Sequence, residues 1–180
     1  MATILSHPAV PVAIAMVLGK NRIPKPLLQM GIIASIWPDF DCWAFVLGIP
    51  YESQFGHRGF MHSIVFALLT AAFCAWRLPK EFDAKPSEIF SFIFVSTASH
   101  PLLDMLTDGG LGVAIFWPFS TERFFFPVHP LPVSPIGRSF ISARGLFVFL
   151  NELVMVWTPC LLAGGTAWIA RRVLEKKKPG

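Results

Sequence analysis

The run "IFSFIFVSTASHPLLDML", Ile89–Leu106, is apolar along most of its length, yet it holds His100 and Asp104 near one end. By hydropathy it reads as a membrane span. By its polar pair it reads as a site, because ionisable groups in hydrocarbon are costly unless they pair or coordinate something. His100 and Asp104 are four residues apart, so a helix stacks them on one face, and Asp108 continues the row if the helix persists. Pro101 lies between them and biases His100 away from the helical region. The pair therefore works as a pair only if the helix runs through the proline.

The whole chain favours the membrane reading. Of its 180 residues 54% are hydrophobic and 14% charged, and the mean hydropathy is +0.59. A soluble domain of this size carries nearer a quarter charged residues. Cys42, Cys74 and Cys160 are far apart in apolar runs and form no CxxC pair, so they read as small core residues rather than disulfides or thiolate ligands. There is no fixed-period repeat and no low-complexity tract.

Five apolar stretches can be drawn: Ile4–Gly19, Leu27–Ile49, Met61–Trp76, Ile89–Leu106 and Leu146–Ala170. The first is short for a span. The connections "KNRIPK" and "RLPKEFDAKPSE" and the tail "RRVLEKKKPG" hold eleven of the fifteen Lys and Arg. The remainder holds only Arg58, Arg123, Arg138 and Arg144. Five crossings put the eleven on one side, which by the positive-inside rule is the cytoplasm. The N-terminus is then outside, and the C-terminus, with Lys177, inside. The formal charge of +4 thus concerns orientation and predicts no nucleic-acid partner. "MATILSH" lacks the positive n-region of a cleaved signal peptide. Residues 110–145, rich in proline and aromatics, read as an external loop or cap on one membrane-embedded domain spanning 1–180, with Leu111–Pro118 dipping toward the membrane.

Counting from the basic ends locates the polar residues in depth. His7 is twelve residues from Gly19, Asp39 twelve from Leu27, His62 fourteen from Trp76, His100 eleven and Asp104 fifteen from Ile89. At helical rise all lie roughly 16–23 Å from the basic side, in the outer half of a core about 30 Å thick. Asp41 and His57 fall at or above that level. In "WPDFDCW" an ideal helix would point Asp39 and Asp41 apart, but Pro38 removes a helical hydrogen bond, and a local break would turn both inward. Otherwise one is a ligand and the other supports a histidine. In "FGHRGFMHS", Gly59 is a joint that puts His62 in the first turn of its helix and His57 in the loop above. Imidazole and carboxylate without thiolate suit Zn, Mn, Fe or Ni. The metal-ligand candidates are His7, Asp39, Asp41, His57, His62, His100 and Asp104. That is a surplus over the three that one catalytic zinc needs, so the pattern predicts two or more ions, or one ion with an extensive surrounding.

"HPAVP", "PDFD", "HRGFMHS" and "SHPLLDMLTDGG" occur in the order seen in the YdjM-like family, which the chain resembles from about Ser6 to Pro135. That family is described as inner-membrane, LexA-regulated, metal-dependent hydrolases. The resemblance implies a bacterial inner-membrane enzyme; LexA regulation belongs to the gene and leaves no mark on the chain. A remoter similarity in pattern, with different spacing, links it to the zinc-dependent phospholipase C and P1 nuclease group.

Bland readings stand beside these. His7 can cap a helix at the interface. His129 in "PVHPLP" reads as an ordinary loop residue, and Glu152 as the partner of an arginine rather than a site residue. Arg123 reads as an interfacial anchor, and Arg58, between two candidate ligands, as the better functional group. The leading expectation is a hydrolase of phosphoesters, lipid ones among them. In it a metal acidifies water, Asp41 or Asp108 is general base or histidine support, and Arg58 clamps an anionic phosphate. A metal or proton transporter is the alternative, disfavoured because the polar residues form one layer rather than a ladder. A structural metal in a partner-binding membrane protein is the third. The sequence leaves the oligomeric state open.

Overall fold

The computed structural model describes residues 1–135 and 137–176, the last two without side chains; Lys177, expected on the cytoplasmic side, lies outside the described residues. Among those residues the fold is helical, with isolated bridges (Thr107 to Leu131, Val113 to Phe124) but no strand. The elements are α1 (Ala9–Leu18), α2 (Lys25–Ile36), a 3₁₀ turn (Trp37–Cys42), α3 (Trp43–Val46), α4 (Ile64–Arg77), α5 (Pro79–Phe82) and α6 (Pro86–Asp104). Then come α7 (Ala143–Glu152) and α8 (Thr158–Lys176), joined without a break by a π-helical turn, Leu153–Trp157.

Each of the five expected spans coincides with a helix, but in the first three the helix is shorter than the apolar run. Among the described residues only Ala143–Leu174, 32 residues, is long and apolar enough by itself to cross a membrane. α1, α2 and α4 have 10, 12 and 14 residues, about 15–21 Å; α6 has 19, about 28 Å. The shortening has local causes. α1 starts behind His7-Pro8, and α2 gives way to the 3₁₀ turn where Pro38 lacks its N–H. α4 begins at Ser63, whose hydroxyl accepts the Phe66 N–H at 3.1 Å. α6 runs through Pro101 and stops at Asp104. Four helix ends therefore meet at one level.

Below that level α2, α4 and α6 enclose an apolar core of Leu27, Ala34, Ala71, Cys74, Ile89, Phe92 and Ile93. Small residues allow the close approach. A Cβ on Gly31 would fall 2.3 Å from the Phe92 ring. α1 packs on α8, where Gly164 faces Met16. Outward faces are greasy (Leu68, Leu69, Phe73 and Trp76 on α4; Leu161, Leu162 and Ile169 on α8), whereas Ser96, Thr97, His100 and Asp104 are buried. Polar inside and apolar outside is the arrangement of a protein solvated by lipid.

Above the helix ends the chain between Met105 and Ser142 folds back as a cap. Val113 and Ile115 are buried against Met105, with Ile64 packed beside them. Arg123 binds the cap to the 50–57 loop, donating to the carbonyls of His57 (3.0 Å) and Tyr51 (2.9 Å).

Candidate metal centre

His7 sits just ahead of α1, and the segment before it is drawn into the protein. The Ala2 N–H donates to Asp104 Oδ1 (2.7 Å) and the Thr3 N–H to Glu152 Oε1 (2.7 Å). The hydroxyls of Thr3 and Ser6 both donate to Glu152 Oε2. Asp39 and Asp41 lie on the 3₁₀ turn. Residues two apart are about 160° apart around an α-helix but about 120° around a 3₁₀-helix, and here both carboxylates are buried. His62 lies in a separate 3₁₀ turn, Phe60–His62, rather than in the first turn of α4. His100 and Asp104 share the last turns of α6.

These ends deliver three imidazoles and two carboxylates to one point. His100 Nε2 is 3.1 Å from His62 Nε2 and 3.4 Å from Asp39 Oδ1. His62 Nε2 is 3.5 Å from Asp104 Oδ2. His7 Nε2 is 3.8 Å from Asp39 Oδ2 and 3.9 Å from Asp104 Oδ1, with its ring stacked on His100 at 3.6 Å. His7, His62, His100 and Asp104 are fully buried and Asp39 nearly so.

The contacts of the outer ring nitrogens set which nitrogens face the cluster. His100 Nδ1 lies 2.7 Å from the Ser35 carbonyl, to which it can only donate, so Nε2 is the nitrogen turned toward the cluster. His62 Nδ1 lies 2.9 Å from Asp41 Oδ2; the ring is turned off the ideal hydrogen-bond direction, yet the carboxylate favours a proton there and leaves Nε2 turned toward His100. At 3.1 Å the two Nε2 atoms are close enough either to share a proton or to flank a metal ion. For metal–nitrogen bonds of 2.0–2.1 Å the edge of a tetrahedron is about 3.3 Å. Both nitrogens of His7 and both oxygens of Asp39 make no hydrogen bond, a costly state for buried polar atoms. The donor set fits a divalent ion of the Zn, Mn, Fe or Ni kind. Asp39, His62, His100 and Asp104 form one mutually close group.

Asp41, His57 and His62 form a second close group. Asp41 Oδ1 is 2.5 Å from His57 Nδ1, and Asp41 Oδ2 accepts the Arg58 N–H at 3.0 Å. Asp41 is therefore a brace between the two histidines. Half-buried Tyr51 packs on His57, ring centres 5.2 Å apart, and burial raises its phenol pKa.

Arg58 is fully buried in a left-handed backbone conformation, φ 61°. Its Nε donates to Asp104 Oδ2 (3.1 Å), Nη1 to the Gly109 carbonyl (2.8 Å) and Nη2 to Thr107 Oγ1 (2.9 Å). A Cβ on Gly110 would come within 2.8 Å of Nη1. The guanidinium expected to clamp a phosphate is thus turned inward, onto Asp104 and the start of the cap. Asp108 is also placed otherwise than expected: the helix ends before it, and it is exposed, accepting the Val133 N–H at 2.6 Å. His129 is exposed and outside the cluster.

Three contributors were not expected at the site. Glu152 is completely buried and holds the segment before His7 through Thr3 and Ser6; its signal was a lone carboxylate in an apolar run. Thr107 was one polar residue among several, and the Ser35 carbonyl, being backbone, has no sequence signature. Among the cysteines, Cys42 Sγ is 3.9 Å from His57 Nδ1, and all three are free.

A family model described as "YdjM inner membrane protein" matches residues 1–175. The chain is 42% identical to inner membrane protein YbcI of Escherichia coli K12 over 173 residues, 96% of this chain and 100% of that protein. It is 32% identical over 174 residues to inner membrane protein YdjM of E. coli K12 and of Shigella flexneri, 84% of this chain and 80% of theirs. No solved structure matches it.

Proposed function

Since the chain belongs to the YdjM family of inner membrane proteins, we propose that it is a membrane-embedded, metal-dependent hydrolase of phosphoesters, with a lipid as substrate. The observation that carries the reading is the meeting of His7, His62, His100, Asp39 and Asp104 at separations of 3.1–3.9 Å, with the donors of His7 and Asp39 otherwise unpartnered. These five would hold a divalent ion, zinc first, which supplies Lewis acidity and acidifies water. Asp41 and the Ser35 carbonyl fix the rings of His62 and His100 with Nε2 presented. Asp39 has oxygen capacity beyond one ligand bond and is the group best placed to take a proton. His57 and Arg58 hold Asp41 and Asp104 in place.

In this reading all five apolar segments are embedded, the basic connections are cytoplasmic and the centre lies in the outer half of the bilayer. A lipid substrate fits the surroundings. An apolar groove of about 290 Å³ runs between α2 and α4, lined by Met30, Trp37, Phe66 and Phe73. Trp37 is two residues from Asp39 and Phe66 four from His62, so an acyl chain in the groove would bring its phosphoester toward the centre.

A second reading, an ion that only ties the helix ends together, is favoured by the complete burial of the ligands and by the inward engagement of Arg58. The test is metal analysis of detergent-purified protein followed by a screen of phosphoesters and phospholipids. Bound metal with metal-dependent turnover supports the hydrolase. Bound metal whose removal lowers stability, with no turnover of any substrate, supports the tie. Absence of metal refutes both.

A further inference from the structure

At the other end of the molecule the turn after α1 meets the last turns of α8 around an open cleft of about 710 Å³, lined by Lys20, Asn21, Trp168, Arg171 and Arg172 with Met16 and Leu18 below. Three of these residues are cationic, and none of the described lining residues is acidic. Both arginines are held in place. Gly19 has φ 81°, and a Cβ there would lie 2.4 Å from the Arg171 guanidinium; glycine lets that side chain cross the end of α1 and donate to the Val17 carbonyl at 2.8 Å. The Arg172 guanidinium lies over the Trp168 ring, 4.9 Å from its centre. Trp168 is itself 42% exposed, as befits a ring at the boundary between headgroups and acyl chains. The cleft thus has a cationic mouth, an aromatic shelf and an apolar floor of Met16 and half-exposed Leu18.

We propose that this cleft binds the phosphodiester headgroup of an anionic glycerophospholipid, with Lys20 and Arg172 on the phosphate and the acyl chains along Met16 and Leu18. Positive charge at helix ends is general in membrane proteins; the arrangement here differs because cations from two elements converge on a shaped cavity with an apolar floor. The site is independent of the metal centre, and its test uses no turnover.

Native mass spectrometry of the detergent-purified protein, titrated with phosphatidylglycerol, phosphatidylethanolamine or inorganic phosphate, reads the binding directly. Lys20→Gln/Arg172→Gln removes two charges without touching a buried partner. A surface-charge contribution near 1 kcal/mol per basic residue predicts about thirty-fold weaker phosphatidylglycerol binding. Lys25→Gln/Lys80→Gln removes the same charge from exposed residues outside the cleft and should leave binding within about three-fold of wild type. An unchanged melting temperature would show that the first variant is folded; a lowered one would move the comparison to Lys20→Gln alone, for which about five-fold weakening is expected. Equal weakening by both double variants would replace the cleft with diffuse electrostatics and overturn the proposal. So would equal affinity for phosphatidylethanolamine, or displacement of the lipid by millimolar phosphate, which would make it a site for the free anion.

Discussion

Arg58→Ala separates two roles for one side chain. A substrate clamp predicts lost turnover with stability and metal content intact; the inward geometry predicts the reverse order of effects. The guanidinium makes three hydrogen bonds, one of them to the fully buried Asp104. Removing one partner of a buried ion pair costs about 3–5 kcal/mol. At 2–4 °C per kcal/mol for a chain of this length, the melting temperature should fall on the order of 10 °C. Cys74, 1% exposed, permits a thiol-reactive dye to report unfolding in detergent. Arg58→Gly controls for the backbone. Because φ is 61°, glycine should recover about 1 kcal/mol, or some 3 °C, relative to alanine. Arg58→Lys should fall between, keeping a charge near Asp104 but losing the fork that reaches Gly109 and Thr107. Metal content should drop in the alanine variant, since Asp104 loses its orientation. A melting temperature within 2 °C of wild type, with full metal content, would refute the inward role and restore the clamp.

His62→Ala, His100→Ala and Asp104→Asn should each lower the metal bound per protein by tenfold or more at limiting metal, whereas His129→Ala should not; elemental analysis decides. Asp41→Asn keeps the shape of the brace but weakens its hold on the His62 tautomer, and metal affinity should fall about 10–100-fold in a chelator competition. Glu152→Ala leaves the Thr3 and Ser6 donors unpaired and should destabilise by about 3 kcal/mol, with Glu152→Gln recovering part; equal melting temperatures would remove Glu152 from the support of His7. For orientation, single cysteines at Arg22 and Lys80 should be shielded from an impermeant reagent in intact cells, and those at exposed Glu52 and Glu122 labelled. External labelling at position 80 would invert the topology.

The layer of polar residues was legible because helical rise is constant: counting residues from each basic end placed His7, Asp39, His62, His100 and Asp104 at one depth, and in the structure they meet. The helical class was legible from the apolar runs. What was hidden depended on winding and backbone. That the 39–41 carboxylates converge rests on a 3₁₀ turn, for which Pro38 gave only a hint. That α6 ends at Asp104, leaving Asp108 outside, is set by the cap folding back through Met105 and Val113. The fate of Arg58 turned on Gly109 and Gly110, whose backbone receives it, and no pattern of side chains announces that a guanidinium faces inward. The first three helices are shorter than their apolar runs because hydropathy continues through turns whose backbone is not α-helical.

The π-helical turn at Leu153–Trp157 sets the phase of the C-terminal helix. Glu152 must face the segment before His7, and Gly164 must face Met16 on α1. They are twelve residues apart, which in an unbroken α-helix leaves them about 120° out of phase. A π turn absorbs one residue, and eleven effective residues bring the two within about 20° of one another. The long helix is thereby keyed to the N-terminal segment and to α1 along a single edge. A one-residue deletion within 153–157 would restore plain α winding and leave both contacts aligned, whereas the same deletion between 159 and 163 would swing Gly164 away by about 100°. The rotational tolerance of this long helix is therefore concentrated in one turn, immediately below the carboxylate that holds the segment before His7.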